Sequence, residues 1–167
     1  MSATPEPDQR PLPAVSLQAV TAENWRATLA LGVPPAQQRF VADHAPIAAI
    51  ALAKAYVRPG GLVWEPYAIC AQGQAVGLVL LAYAPGSADQ YWIYHFFIDQ
   101  HAQGRGYGRA ALRALETLVR SHHPACERIQ LQVHPDNRRA QRLYAHAGFA
   151  PTGTTIDGEP VYALAIR

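Results

Sequence analysis

The sequence predicts an α/β (α+β) fold, and three observations predict it. Residues 91–98 hold no Asp, Glu, Lys or Arg and are dense in aromatic and β-branched side chains, the composition of a buried strand. A glycine-rich loop follows, and after it Ala111, Leu112, Leu115, Leu118 and Val119 recur at helical spacing while Arg109, Arg113, Glu116 and Arg120 take the other positions. Two turn signals, Gln72-Gly73 and Asp157-Gly158, each join a pair of strand-like segments. Strands and helices therefore alternate along the chain.

Residues 1–13 contain four prolines and little apolar surface, and read as a disordered tail. That leaves 14–167 as a single domain. Residues 15–20 alternate as a first strand. Thr21 is a candidate cap for a helix reaching Leu31, with Trp25 and Leu29 facing inward. Pro34-Pro35 opens a second helical region. Asp43 is a candidate cap for an alanine-rich helix over 46–56, which Arg58-Pro59-Gly60-Gly61 ends. Strands follow over 63–70 and 75–84, and a loop at 85–90 leads to the central strand. There, strict alternation puts Trp92, Tyr94 and Phe96 on one face and His95 on the other. After the amphipathic helix come a loop over 121–127 and a strand over 128–133, where Ile129, Leu131 and Val133 alternate. Asn137 starts a helix whose Ala140, Leu143, Tyr144 and Ala147 share a face. Gly148 stands where a left-handed cap belongs, with Phe149 folding back. Strands over 149–156 and 161–166 close the chain.

The 167 residues suit one domain with a full core. The formal charge is only +2 and the arginines are scattered, which argues against nucleic acid as a partner. The longest apolar run, over 75–83, is far short of the ~20 residues a membrane helix needs. The N-terminus does not read as a signal peptide. Cys70 and Cys126 have no metal-type spacing, so no metal is expected. They suit free thiols in a reducing cytoplasm, and a cytoplasmic location is expected.

Chemistry concentrates in Gln103-Gly104-Arg105-Gly106-Tyr107-Gly108. A loop this rich in glycine, feeding a helix N-terminus, aims several free N–H groups at one point beside the positive end of the helix dipole. That makes an anion site, most naturally for phosphate. It is not a P-loop, which would end in Gly-Lys-Ser/Thr. Nor is it a dinucleotide fingerprint, since the sixth position from Gly104 is Arg109.

Gln103-x-x-Gly106-x-Gly108 resembles the acetyl-CoA signature Q/R-x-x-G-x-G/A of the GNAT superfamily of N-acetyltransferases. The segment NRRAQRLYAHAGF, residues 137–149, is similar to that family's N-x-x-A-x-x-L-Y-x-x-x-G-F. The resemblance implies a mixed sheet of six or seven strands with helices on both faces, and acetyl-CoA as cosubstrate. Backbone N–H groups from Gln103, Gly104, Arg105, Gly106, Tyr107, Gly108 and Arg109 would wrap the coenzyme's pyrophosphate. The backbone of Phe96, Phe97 and Ile98 would pair with the pantetheine arm and polarise the thioester. Tyr144 would donate to the leaving thiolate, and Asn137 would be a further coenzyme contact. On the residues alone, Tyr144 is equally the aromatic of a packed helix face and Asn137 an N-cap.

The pattern W-x-x-x-F-F-I-D before the loop resembles bacterial diamine and polyamine N-acetyltransferases. The resemblance implies a small primary amine, such as a polyamine, as acceptor. A protein or peptide amine and a non-catalytic acetyl-CoA-binding module are the alternatives. Glu65, Trp92, Tyr94 and Asp99 are the candidate acceptor-site residues. Tyr94 stands where such enzymes tend to carry an acid. Members of the family are often homodimers.

Overall fold

The computed structural model describes residues 11–167. The tail expected over 1–13 lies outside the described residues up to residue 10. Of the remainder, Pro13 lies against the loop at Gly106. The chain forms β1 (Ser16–Ala19), α1 (Trp25–Leu29), α2 (Pro35–Val41), α3 (Ile47–Val57), β2 (Val63–Ala71), β3 (Gln74–Tyr83), β4 (Tyr91–Ile98), α4 (Tyr107–His122), β5 (Arg128–Gln132), α5 (Arg138–His146), β6 (Ala150–Ile156) and β7 (Glu159–Ala165). All seven strands join one sheet in the order β1-β2-β3-β4-β5-β7-β6. Every pairing is antiparallel except β4 with β5. A seven-stranded mixed sheet with helices on both faces is the architecture that the sequence resemblance implies.

Two cores flank the sheet. One holds Ile69, Val79, Leu81, Tyr91 and Ile93 against the apolar stripe of α4 (Ala111, Leu112, Leu115, Val119), with Tyr144 and Phe149 beside it. The other holds Leu78, Leu80 and Phe97 against Ile47, Ala48 and Ala51 of α3. Among the described residues no helix is long and apolar enough to cross a membrane.

The turns at Gln72-Gly73 and Asp157-Gly158 join their strands with positive φ at both residues, as a two-residue hairpin of the favoured twist requires. The helix starts differ from the sequence expectation. Thr21 does not cap α1: the Asn24 side chain takes the Thr21 amide (2.7 Å) and gives to the Ala19 carbonyl (3.0 Å), so 21–24 form a turn and the helix begins at Trp25. Nor does Asp43 cap α3, whose N-cap is Pro46. The loop expected from residue 121 starts later, because α4 runs to His122.

The largest difference lies in β4. Its register against β3 slips between Leu78↔Phe97 and Leu80↔Tyr94, so two residues of β4, His95 and Phe96, face Val79 alone. His95 takes φ +48°. This is a β-bulge, and it breaks the alternation read from the sequence. Trp92 and Tyr94 pack on the α3 side, but Phe96 is swung to the α4 side with Ile98. His95 does not oppose Tyr94. It faces the same helices, bonded to Val41 and Lys54. Gly77 makes room for this geometry: a Cβ there would stand 2.4 Å from the Phe97 carbonyl oxygen. Gly77→Ala is expected to lose about 2 kcal/mol of stability, read by urea unfolding, because a backbone atom rather than a flexible side chain must give way.

Candidate active site

β4 and β5 run parallel but pair through one register position, Trp92 with Gln130. Past it the strands part, and a cavity of about 440 Å³ opens between them. Phe96, Phe97 and Ile98 form its β4 wall. The Asp99 amide donates to the Val76 carbonyl of β3 at 2.8 Å, so the Ile98 amide, one residue earlier, points away from β3 and into the opening.

The loop before α4 forms the next wall. Gly106 is the N-cap, at φ +83° and with no side-chain cap. The first turn of a helix has no carbonyls behind it for its amides to bond, and Tyr107 and Gly108 of that turn both line the cavity. Gln103 fixes the loop in place. Its Nε2 donates to the Ile98 carbonyl (3.0 Å) and to Gln37 of α2 (2.9 Å), and its Oε1 accepts from Gln37 (3.2 Å) and Arg139 of α5 (3.0 Å). Arg109, Arg138 and Arg139 line the cavity, with Asp136 the one carboxylate among the described residues that line it. Uncapped amides, a helix N-terminus and three guanidiniums together fit a diphosphate.

α5 supplies the apolar end with Ala140, Leu143 and Tyr144. Asn137 lines the cavity too, but its Oδ1 is engaged as the N-cap of α5, accepting from the Ala140 amide at 3.2 Å. Gly148 takes φ +94° past the helix end, and the Phe149 amide bonds the Tyr144 carbonyl at 2.9 Å. That closure sets the Tyr144 ring between Phe149 (5.8 Å) and Phe96 (6.2 Å). Tyr144 is 8% exposed, and burial pushes its phenol well above the usual range. Among the described residues no group hydrogen-bonds its hydroxyl, so the O–H stays protonated and available to donate.

α2 closes the remaining side. Besides Gln37 on Gln103, the Phe40 ring packs at a tilt against His134, 5.1 Å between centroids, and Arg39 stands 3.5 Å from Asp136. Phe40 and Val41 also line a second cavity of about 330 Å³, which holds Arg39, Asp43, His44, Lys54, His95 and Glu159.

The expected coenzyme residues thus gather around one cavity, with one side chain apart: Arg105 is turned outward, donating to the His101 carbonyl at 3.3 Å. The four acceptor candidates do not gather; none of them lines either cavity. Glu65 accepts from the hydroxyls of Tyr67 (2.8 Å) and Tyr83 (2.9 Å), close to His123 on the α4 face. Both oxygens of Asp99 are taken by backbone amides, of Gly32 (2.9 Å) and His101 (3.1 Å), so it holds the strand end. Trp92 and Tyr94 are packing residues of the α3-side core. Sequence reasoning missed Gln37, Phe40, His134 and the second cavity, since their meeting depends on how α2 crosses the opening.

A sheet parted beside a glycine-started helix, with an amide at the strand end and a buried phenol on the same cavity, fits an acyl-CoA transferase. The chain belongs to the acetyltransferase (GNAT) family, whose model matches residues 37–149. It is 30% identical over 154 residues to a probable spermine N(1)-acetyltransferase of Bacillus subtilis subsp. natto (strain BEST195), covering 89% of this chain and 96% of that one. It is 32% identical over 114 residues to an aminoglycoside N(6')-acetyltransferase type 1 of Klebsiella pneumoniae, covering 61% and 56%. Among solved structures it resembles AAC(6')-Ib in complex with paromomycin and acetyl-CoA, with a TM-score of 0.71 at 25% identity, covering 90% and 92%. The protein is an acetyl-CoA-dependent N-acetyltransferase.

Gly106→Val puts a β-branched side chain at positive φ, with its Cβ 3.2 Å from the Pro13 ring. Calorimetry is expected to show acetyl-CoA binding weakened by roughly a hundredfold, from lost amide contacts each worth about 1.5–3 kcal/mol. Circular dichroism should remain that of a folded protein.

Proposed function

We propose that the protein acetylates the primary amine of a small cationic molecule, with a polyamine as the leading acceptor class, and that the second cavity receives it. The observation that carries this reading is the junction of the two cavities at Phe40 and Val41, with the carboxylates of Asp43 and Glu159 on the acceptor side. Carboxylates there attract a cationic amine. The 30%-identical relatives named for spermine support the same class, because they match along nearly their whole length.

Acetyl-CoA supplies an activated acetyl thioester, and the residues of this chain do the rest. The amides at the start of α4, with Arg109 and Arg139, hold the diphosphate. The Ile98 amide, which opens into the cavity, would donate to the acyl oxygen; a donor so placed contributes on the order of 3 kcal/mol to the transition state. Tyr144 gives its phenolic proton to the departing sulfur, in a site where Phe96, Leu143 and Phe149 keep water out. Asp43 and Glu159 orient the acceptor.

A panel of polyamines, aminoglycosides and peptides tests the acceptor, with free coenzyme thiol as the readout. Spermidine or spermine should turn over fastest. Faster acetylation of an aminoglycoside or a peptide would replace this reading. Tyr144→Phe is expected to lower kcat by roughly ten- to a thousandfold with acetyl-CoA affinity unchanged. An unaltered kcat would remove the donor role.

A further inference from the structure

The chain carries fourteen Lys and Arg side chains, and Lys54 is the only lysine among them. It lies on α3 and lines the second cavity. Its Nζ stands 2.9 Å from His95 Nε2, 5.0 Å from the centre of the Tyr94 ring and 5.1 Å from that of Trp64. His95 is the residue of the β4 bulge, at positive φ, a conformation that non-glycine residues keep only where their surroundings impose it. Its Nδ1 lies 2.8 Å from the Val41 carbonyl. A carbonyl can only accept, so Nδ1 carries the hydrogen and Nε2 presents a lone pair to Lys54. The bulge therefore aims one ring nitrogen at the one lysine, on the wall of the acceptor cavity.

Resting on the acceptor reading above, we propose that Lys54 is the catalytic base that takes the proton from the acceptor's ammonium group, and that His95 is the positioning residue that holds Nζ for it. In this step one N–H bond of the acceptor breaks and one Nζ–H bond forms. The acceptor nitrogen keeps the electron pair that acetyl transfer then uses, and the positive charge passes to Lys54. Nζ donates to His95 Nε2 both before and after the transfer, so the pair is not rebuilt.

The chemistry of the surroundings supports a lysine that gives up its proton. Burial lowers the Lys54 pKa below the ordinary lysine value, and Asp43 opposes that shift. Burial likewise lowers the His95 pKa, with the Val41 carbonyl and Asp43 pulling the other way and Lys54 adding to the lowering. The other charged or titratable groups of the cavity are Arg39, His44 and Glu159. The phenol of Tyr94 and the indole of Trp64 face Nζ from β4 and β2. An arginine could supply charge at this position but could not release a proton near neutral pH.

Two measurements test the assignment. With lysine labelled in 13C and 15N, the protein gives one lysine side-chain signal, which is expected to titrate below the ordinary value of about 10.4. Titration at the ordinary value overturns the proposal whatever the enzyme acetylates. The second measurement compares Lys54→Arg and Lys54→Met with the parent, using spermidine and a hydrazide of matched size as acceptors. A hydrazide is already neutral and needs no base. Both variants are expected to lose roughly a hundredfold or more in kcat/KM with spermidine, the scale of general-base catalysis, and to keep hydrazide acetylation and acetyl-CoA affinity. In both, the pH profile should lose its plateau and rise with unit slope. Recovery of spermidine activity by arginine would show a structural cation and sink the proposal. If the parent acetylates neither spermidine nor the other amines of the panel, the acceptor reading falls, and the lysine signal still decides the proton chemistry.

Discussion

The active site depends on β4 and β5 separating after one shared register position. Were they zipped along their length, the edge of β4 facing β5 would be consumed by a parallel ladder. Separation leaves backbone groups there in need of partners. Gln103 takes one of them, the Ile98 carbonyl, and by doing so ties the glycine loop to the strand end. The Ile98 amide is left pointing into the gap. The parting has a local cause in the bulge at His95, since an extra residue on one strand bends it and sharpens its twist. Just past the bulge, Gly77 pairs with Ile98 and leaves no side chain in the way of the Phe97 carbonyl.

The walls of the opening are held unequally. α4 buries five residues in the core beneath the sheet, whereas α2 has no buried residue. α2 is held across the gap by the Gln37–Gln103 amide pair, the Phe40–His134 contact and the Arg39–Asp136 ion pair. That ion pair is 61% and 65% exposed, so it contributes at most about 1 kcal/mol. The wall between the two cavities is therefore the one that opens at least cost, as expected of an element that substrates must pass. The opposite wall, carrying the amides proposed to hold the diphosphate, is fixed by the buried face of α4.

Much of this was legible in the sequence, for physical reasons that differ by element. The bounds of β4 were readable because a buried strand excludes charge over its whole length, as residues 91–98 do. The turns at Gln72-Gly73 and Asp157-Gly158 were readable because few residues tolerate positive φ twice in succession. The coenzyme loop was readable because its chemistry needs glycines next to one another in the chain. The second cavity was not, because its groups come from α2, the loop after it, α3, β4 and β7, and nothing local sets their meeting. One residue of bulge moved His95 across the sheet, and alternation has no term for that. Glu65 and Asp99 looked available as carboxylates, yet tyrosine hydroxyls and backbone amides engage them. A sequence names an acid without saying whether a neighbour has satisfied it. The one signal on the acceptor side that was present from the start is the single lysine in a chain whose other Lys/Arg cations are all arginine.

Burial acts on the two sides of the opening with opposite chemical effect. It raises the phenol of Tyr144 and lowers the ammonium of Lys54, because a dry site disfavours whichever form is charged. For a phenol the neutral form holds a proton; for an amine it holds a lone pair. Acetylation of an ammonium must take two protons off the nitrogen, one before attack and one from the tetrahedral intermediate, and put one onto the leaving thiolate. Dehydrating both walls therefore suits the two proposed roles, a proton donor on α5 and a base on α3. The arginines beside the glycine loop escape this logic, since guanidinium keeps its charge when partly dried, and a diphosphate site needs a charge that does not titrate. The choice of phenol, lysine and arginine at the three places then follows from what burial does to each.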